Sequence, residues 1–241
     1  MSGVLVGLVD GGVTADLRAY VAEDSGFTLG QGDAVEQNRA TEDAIGHGAS
    51  IARTILAAAP AASIVNAQVF HDSISAPPAV IAAALGWVVE RGARVVNLSF
   101  GVRQDREVLR LACAAARATG AILLAAAPAR GPRVFPASYP GVIRISGDAR
   151  CAPGEVSLLA SAQADFGARP ATVDGRVRGA SAAVAWLTGR VAALLAERPA
   201  ADAASVTGFL ESIAQYRGPE RRAADLSSGR SSPALGDDGI E

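Results

Sequence analysis

Five short apolar runs, at 4–9, 63–69, 94–98, 121–126 and 142–146, alternate along this chain with longer Ala- and Leu-rich segments at 50–58, 79–91, 106–119 and 182–197. Runs this short and continuous suit strands buried on both faces, and the segments between them are long enough for the helical crossover that a parallel pair requires. The pattern predicts an α/β chain with a mostly parallel central sheet covered by helices on both faces. At 241 residues, 50% of them hydrophobic, the chain can bury one sizeable core, and one domain is expected. Two regions break the alternation. Residues 23–44 are polar with interspersed glycines and are expected to form a loop. The stretch 217–241, rich in Arg, Ser, Gly and Asp, is expected to be a disordered tail, which leaves 1–216 as the folded domain.

Charge and cysteine content exclude several function classes. A formal charge of -2 gives no electrostatic reason to expect a nucleic acid or an anionic membrane as partner. Every basic residue is Arg and none is Lys, which together with the abundant Ala reads as a compositional bias. Two cysteines, Cys113 and Cys151, do not make a disulfide framework, and a reducing compartment fits them. The start, Met1 to Val9, has no basic n-region and reads as a strand beginning at once. The expected location is therefore the cytoplasm, with no pro-segment ahead of Asp10 and no run of about 18 apolar residues to span a membrane.

Three segments set one reactive residue each among small neighbours: Asp10 in Val9-Asp10-Gly11-Gly12, His47 in Gly46-His47-Gly48-Ala49, and Ser181 in Gly179-Ala180-Ser181-Ala182-Ala183. A serine hydroxyl is a weak nucleophile until an imidazole takes its proton and a carboxylate fixes the tautomer of that imidazole. Asp, His, Ser is one of the known chain orders for such a triad. Only one other histidine exists, His71, in a polar context, Phe70-His71-Asp72-Ser73, so His47 is the candidate general base. On the predicted outline Asp10 ends the first strand, whereas His47 and Ser181 precede helices. All three are thus expected at one edge of the sheet.

The surroundings of these residues resemble the subtilisin-like serine peptidases. Asp10-Gly11-Gly12 is similar to the family's Asp-Ser/Thr-Gly, and Asp43-Ala44-Ile45-Gly46-His47-Gly48-Ala49 to its Asp-x-x-Gly-His-Gly-Thr. Further likenesses are Val95-Val96-Asn97-Leu98-Ser99-Phe100-Gly101, Phe135-Pro136-Ala137-Ser138-Tyr139-Pro140 and Gly179-Ala180-Ser181-Ala182-Ala183. The resemblance runs from about Gly3 to about Gln215 and implies a subtilisin-like three-layer fold. It also implies that Asp10 orients His47, that His47 serves as base and then acid, and that Ser181 forms an acyl-enzyme. Ser99, Phe100 and Gly101 would pair with an extended peptide substrate.

Departures from the family pattern bear on rate and selectivity. The family's Ala-Ala-Ala-Gly-Asn run, whose Asn polarises the oxyanion, is matched by Ala125-Ala126-Ala127-Pro128-Ala129, so Ala129 offers no side-chain donor. Losing one such donor costs about 100- to 1,000-fold in turnover, while the Ser181 backbone N–H remains available. Arg130 or Arg133 is a candidate substitute. Gly11 and Ala180 also lack the hydroxyls expected beside Asp10 and Ser181, which points to a loosely organised site suited to narrow processing. No cofactor and no metal are expected. Resemblance to compact intracellular members implies a precursor-protein substrate, a candidate being a cross-linked quinohemoprotein γ subunit with its modifying enzyme, and a role in leader removal and maturation. The rival readings are a pseudo-peptidase that binds extended peptides without efficient cleavage, and an esterase or transacylase with the same triad.

Overall fold

The computed structural model of the protein describes residues 3–220. These residues contain ten strands: β1 (Leu5–Asp10), β2 (Val21–Leu29), β3 (Val35–Asn38), β4 (Ser63–Gln68), β5 (Val95–Leu98), β6 (Ile122–Ala126), β7 (Ile143–Gly147), β8 (Val156–Leu158), β9 (Phe166–Ala168) and β10 (Ala214–Arg217). Five α-helices accompany them: α1 (His47–Ala58), α2 (Pro78–Glu90), α3 (Glu107–Ala118), α4 (Ala180–Glu197) and α5 (Ala203–Ser212). All ten strands join one sheet in the order β10-β8-β9-β7-β6-β5-β1-β4-β2-β3. Pairing is parallel except for β2 with β3 and β8 with β9.

Alternation along the central strands divides the core in two. Val6 and Leu8 of β1, Val95 of β5, and Ile122 and Leu124 of β6 enter one cluster, into which α1, α4 and α5 send Ile55, Leu187 and Leu210. Val9, Val96, Leu98, Leu123 and Ala125 point to the opposite face, where α2 and α3 supply Leu85 and Leu109. A period of two along each strand places neighbouring residues on opposite sides, so each central strand must be apolar throughout. The three-layer, mostly parallel arrangement expected from the sequence is the one the chain adopts.

Residues 23–44 are not a loop. They hold most of β2, which pairs in parallel with β4, and all of β3, which forms the sheet edge. Only Ser25, Gly26 and Phe27 of β2 are buried, and the strands are tied by polar pairs instead: Gln37 Nε2 donates to Ser25 Oγ at 3.0 Å and Asn38 Nδ2 to Thr28 Oγ1 at 2.9 Å. At the other edge Arg217 lies within β10, and Gly218 N–H donates to the Leu158 carbonyl at 2.9 Å. Regular structure thus continues past residue 216. The disorder expected for the remainder of the tail concerns 221–241, which lie outside the described residues.

Helix α4 is long and apolar enough to cross a membrane by length and composition, with a mean hydropathy of 1.2, but 67% of it is buried inside the fold. It is the central helix of its layer and packs against α1 so closely that a Cβ on Gly189 would stand 2.6 Å from both Ala58 Cβ and the Ile55 carbonyl oxygen. Replacing a helical glycine with alanine ordinarily adds about 1 kcal/mol of helix propensity. Here the clash with backbone outweighs it. Gly189→Val is expected to destabilise the fold by about 1–3 kcal/mol, read as a lower denaturant midpoint.

Candidate active site

Strands β1, β5 and β6 run in the same direction, and their carboxyl ends deliver Asp10, Ser99 and the segment 127–130 to one edge of the sheet. Open α/β sheets carry their sites there because the chain must leave each strand at that edge to enter the next crossover. His47 is the first residue of α1, and Ser181 stands in the first turn of α4. Amide N–H groups in a first helical turn have no intrahelical acceptor, so the Ser181 N–H is presented to whatever sits beyond the helix end.

Asp10 is fully buried and His47 is 8% exposed. His47 Nδ1 lies 2.6 Å from Asp10 Oδ1, which also accepts the Gly11 N–H at 2.7 Å. Since an ionised carboxylate can only accept, the imidazole carries its proton on Nδ1 and turns an acceptor Nε2 outward. The approach of α1 to β1 that brings this pair together depends on small residues. A Cβ on Gly48 would meet Gly12 O at 2.7 Å and Gly11 C at 2.8 Å. Asp43, just ahead of α1, accepts the amides of Ile45, Gly46 and Ala49 at 3.2, 2.9 and 2.8 Å and so fixes the helix start. Burial pulls the His47 pKa down, but the Asp10 carboxylate and, more weakly, Asp43 outweigh it and hold the imidazole above its ordinary 6.5.

His47 and Ser181 line one cavity of about 440 Å³, together with Ser99, Phe100 and Gly101, Ile74, and Arg176 to Arg178. The Ser181 hydroxyl does not bond to His47 in this state. It donates to the Ser99 carbonyl at 2.8 Å, and Ser99 Oγ donates back to the Ser181 carbonyl at 3.2 Å. Two further residues complete the link: Asn97 Nδ2 donates to Ser99 Oγ at 2.8 Å, and Thr188 Oγ1 to Asn97 Oδ1 at 3.2 Å. Buried Asn and Thr at the end of a strand and in a core helix are the available sequence signal for such a network.

Other candidates fall elsewhere. Ala129 and Arg130 line a second cavity of about 530 Å³, whose wall includes Gly179 and Ala180, so it adjoins the first across the backbone leading to Ser181. Arg133 faces a different cavity, beside Arg117 and Tyr139, which removes it as a substitute oxyanion donor. His71 bonds to the Phe27 carbonyl, away from the site. Burial raises the Cys113 thiol to about 12 and the Cys151 thiol to about 11, so neither is a thiolate nucleophile at neutral pH. Among the described residues Asp10 Oδ2 has no hydrogen-bond partner, and position 11 carries no side chain to supply one. No group of three or more His, Cys, Asp or Glu among them is placed to hold a metal ion.

Asp43→Asn removes a charge near His47 while keeping one of the two oxygens that accept the helix amides. The imidazole pKa is expected to fall toward 6.5, measured from its ring resonances by NMR titration, with the fold retained.

A model of the subtilase family matches residues 1–229. The chain is 26% identical to subtilisin DY of Bacillus licheniformis over 243 residues, covering 90% of this chain and 85% of that protein. Among solved structures it is similar to the S41 psychrophilic protease, with a TM-score of 0.70 and 23% identity over 88% of this chain and 82% of that one. It is also similar to a lanthipeptide protease, with a TM-score of 0.65 and 19% identity over 87% and 79%. With a family match spanning nearly the whole length, and the fold and the sheet edge both agreeing with it, the chain belongs to the subtilase family and is a subtilisin-like serine protease.

Proposed function

We propose that the protein is an endopeptidase of narrow specificity that removes a leader or trims a precursor peptide, with Asp10, His47 and Ser181 as its catalytic triad. The observation that carries the assignment is the 2.6 Å contact between Asp10 and His47 beside a cavity that His47 shares with Ser181. In the proposed reaction the Ser181 hydroxyl leaves the Ser99 carbonyl by a change of rotamer and attacks the scissile carbonyl carbon. Its proton passes to His47 Nε2, and Asp10 holds the imidazolium that results. The Ser181 N–H donates to the oxyanion at the α4 terminus. Collapse of the tetrahedral adduct breaks the C–N bond as His47 gives its proton to the leaving amine. Water, deprotonated by His47, then attacks the ester carbonyl, and the Ser181 oxygen recovers its proton.

Narrow specificity follows from weak intrinsic organisation. The orphan Asp10 Oδ2 leaves the carboxylate less firmly held, and the missing donor at Ala129 and the engaged Ser181 hydroxyl leave work for a substrate that fits. A precursor such as the cross-linked quinohemoprotein γ subunit, presented with its modifying enzyme in the cytoplasm, is the candidate we favour. Likeness in fold to a protease of another modified peptide, the lanthipeptide protease, is in keeping with that class of substrate. The same three features favour the second reading, a pseudo-peptidase that holds an extended peptide along Ser99, Phe100 and Gly101.

A fluorophosphonate probe separates the two. Covalent labelling that disappears in Ser181→Ala, together with cleavage of the precursor, supports the peptidase. A folded protein that binds peptide but takes no label supports the binder. Because catalysis needs neutral His47 and its pKa is raised, kcat/KM is expected to increase with pH along a limb centred above 6.5. Asp10→Asn is expected to lower kcat by about four orders of magnitude, judging by the corresponding change in other serine proteases.

A further inference from the structure

We infer that Arg176 and Arg178 make this cavity selective for peptides with an acidic side chain within three residues of the bond to be cleaved. The inference rests on the peptidase reading above and gives that reading its substrate class. Both arginines line the cavity with His47 and Ser181, and no carboxylate is among its lining residues. The Arg176 guanidinium reaches over the residue before the imidazole, since a Cβ on Gly46 would stand 3.9 Å from Arg176 Nη1. Among the described residues neither guanidinium makes an ion pair or a side-chain hydrogen bond.

The nearby carboxylates are each held by other groups, and only Asp174 also acts on one of the arginines. Asp10 lies beneath His47. Asp43 accepts helix amides. Asp174 accepts the Ser50 and Thr172 hydroxyls at 2.7 and 2.8 Å and the Arg176 backbone N–H at 3.2 Å, lies 3.8 Å from Arg53, and feels the Arg176 charge without forming an ion pair with its guanidinium. The segment that bears the arginines is also held in place. Ala171 bridges Arg178, Thr172 N–H donates to the Val177 carbonyl at 3.0 Å, and Val173 N–H donates to Thr54 Oγ1 of α1 at 3.2 Å. Two exposed cations on a held backbone segment, with Asp174 as the one carboxylate acting on Arg176, border an otherwise uncharged cavity and attract an anionic side chain, and a planar guanidinium grips a carboxylate through two parallel hydrogen bonds. An aspartate or glutamate brought in by the peptide supplies the missing partner, whereas a lysine there meets like charge.

The test uses the full chain and internally quenched peptide mixtures in which one position at a time is fixed as Asp, Ala or Lys. Wild-type protein is expected to cleave the Asp set about five-fold faster than the Ala set at one or more positions within three residues of the cut, with the ratio shrinking in high salt. In the double variant Arg176→Glu, Arg178→Glu the order is expected to invert in favour of Lys. Such an inversion is not produced by partial unfolding. Equal rates for the three sets in wild type, or an unchanged Asp preference in the double variant, overturns the inference and leaves the peptidase reading standing. Where no peptide is cleaved and the fluorophosphonate probe leaves Ser181 unlabelled, that reading fails instead; whenever cleavage is absent, fluorescence anisotropy with labelled members of the same sets decides this one. Tighter binding of the Asp set that inverts in the double variant supports it, and binding blind to charge overturns it.

Discussion

In-register parallel pairing of β1 with β4 and β5 is the constraint on which the rest of the molecule depends. It sets Val6 and Leu8 against one helical layer and Val9 against the other, and brings Asp10 level with Gln68 at the strand's end. A slip of one residue exchanges the two faces, exposing the core side chains of β1 to the wrong layer and turning Asp10 away from His47. Stability and chemistry are therefore specified by the same register. The hydrophobic pattern that selects it does so without reference to the site, and the carboxylate is carried into position as the first polar residue after an unbroken apolar strand.

Hydrogen-bonded carboxylates then divide the labour around that edge. Asp43 gathers three amides at the head of α1, so the helix that presents the imidazole starts at a fixed point and angle. Burial works to raise the Asp174 carboxyl, but bonds from Ser50 and Thr172 hold it below the ordinary carboxylate range, which keeps it charged and ties α1 to the segment before Ser181. At the far side Asp148 is likewise held low against its burial by Arg150. Each acid acts on geometry, and none of these three enters the cavity that holds His47 and Ser181.

The central strands and helices α1 to α4 were legible because burial on both faces demands continuous apolar runs, a signal that survives without any knowledge of partners, whereas the shorter α5 was not read. Strands β2, β3 and β10 were not legible, since edge and near-edge strands satisfy half their contacts with water and polar neighbours, as in Gln37 with Ser25, and β8 and β9 were not because three residues each are too few to show a period. The meeting of Asp10, His47 and Ser181 at one edge could be read from motif and strand order. What could not be read is the resting direction of the Ser181 hydroxyl, which is set by the Ser99 carbonyl 82 positions away in the chain. Nor could the separate locations of Arg130 and Arg133, close in sequence yet facing different cavities, be anticipated from spacing alone.

Arg150 connects two things that a list of elements keeps apart. Its Nη2 donates to Asp148 Oδ2 and to the Gly218 carbonyl, both at 2.7 Å, and Asp148, Pro219 and Glu220 all belong to the wall of the cavity beside Ala129. The outermost strand of a sheet is ordinarily its most expendable part, free to fray at little cost. In this molecule fraying of β10 takes away one of the acceptors that orient the guanidinium anchoring a buried acid in the pocket wall, while its bonds to Asp148 remain. A peripheral strand and a recess near the site thus share one anchoring side chain, so the last strand is less dispensable than its place at the edge implies.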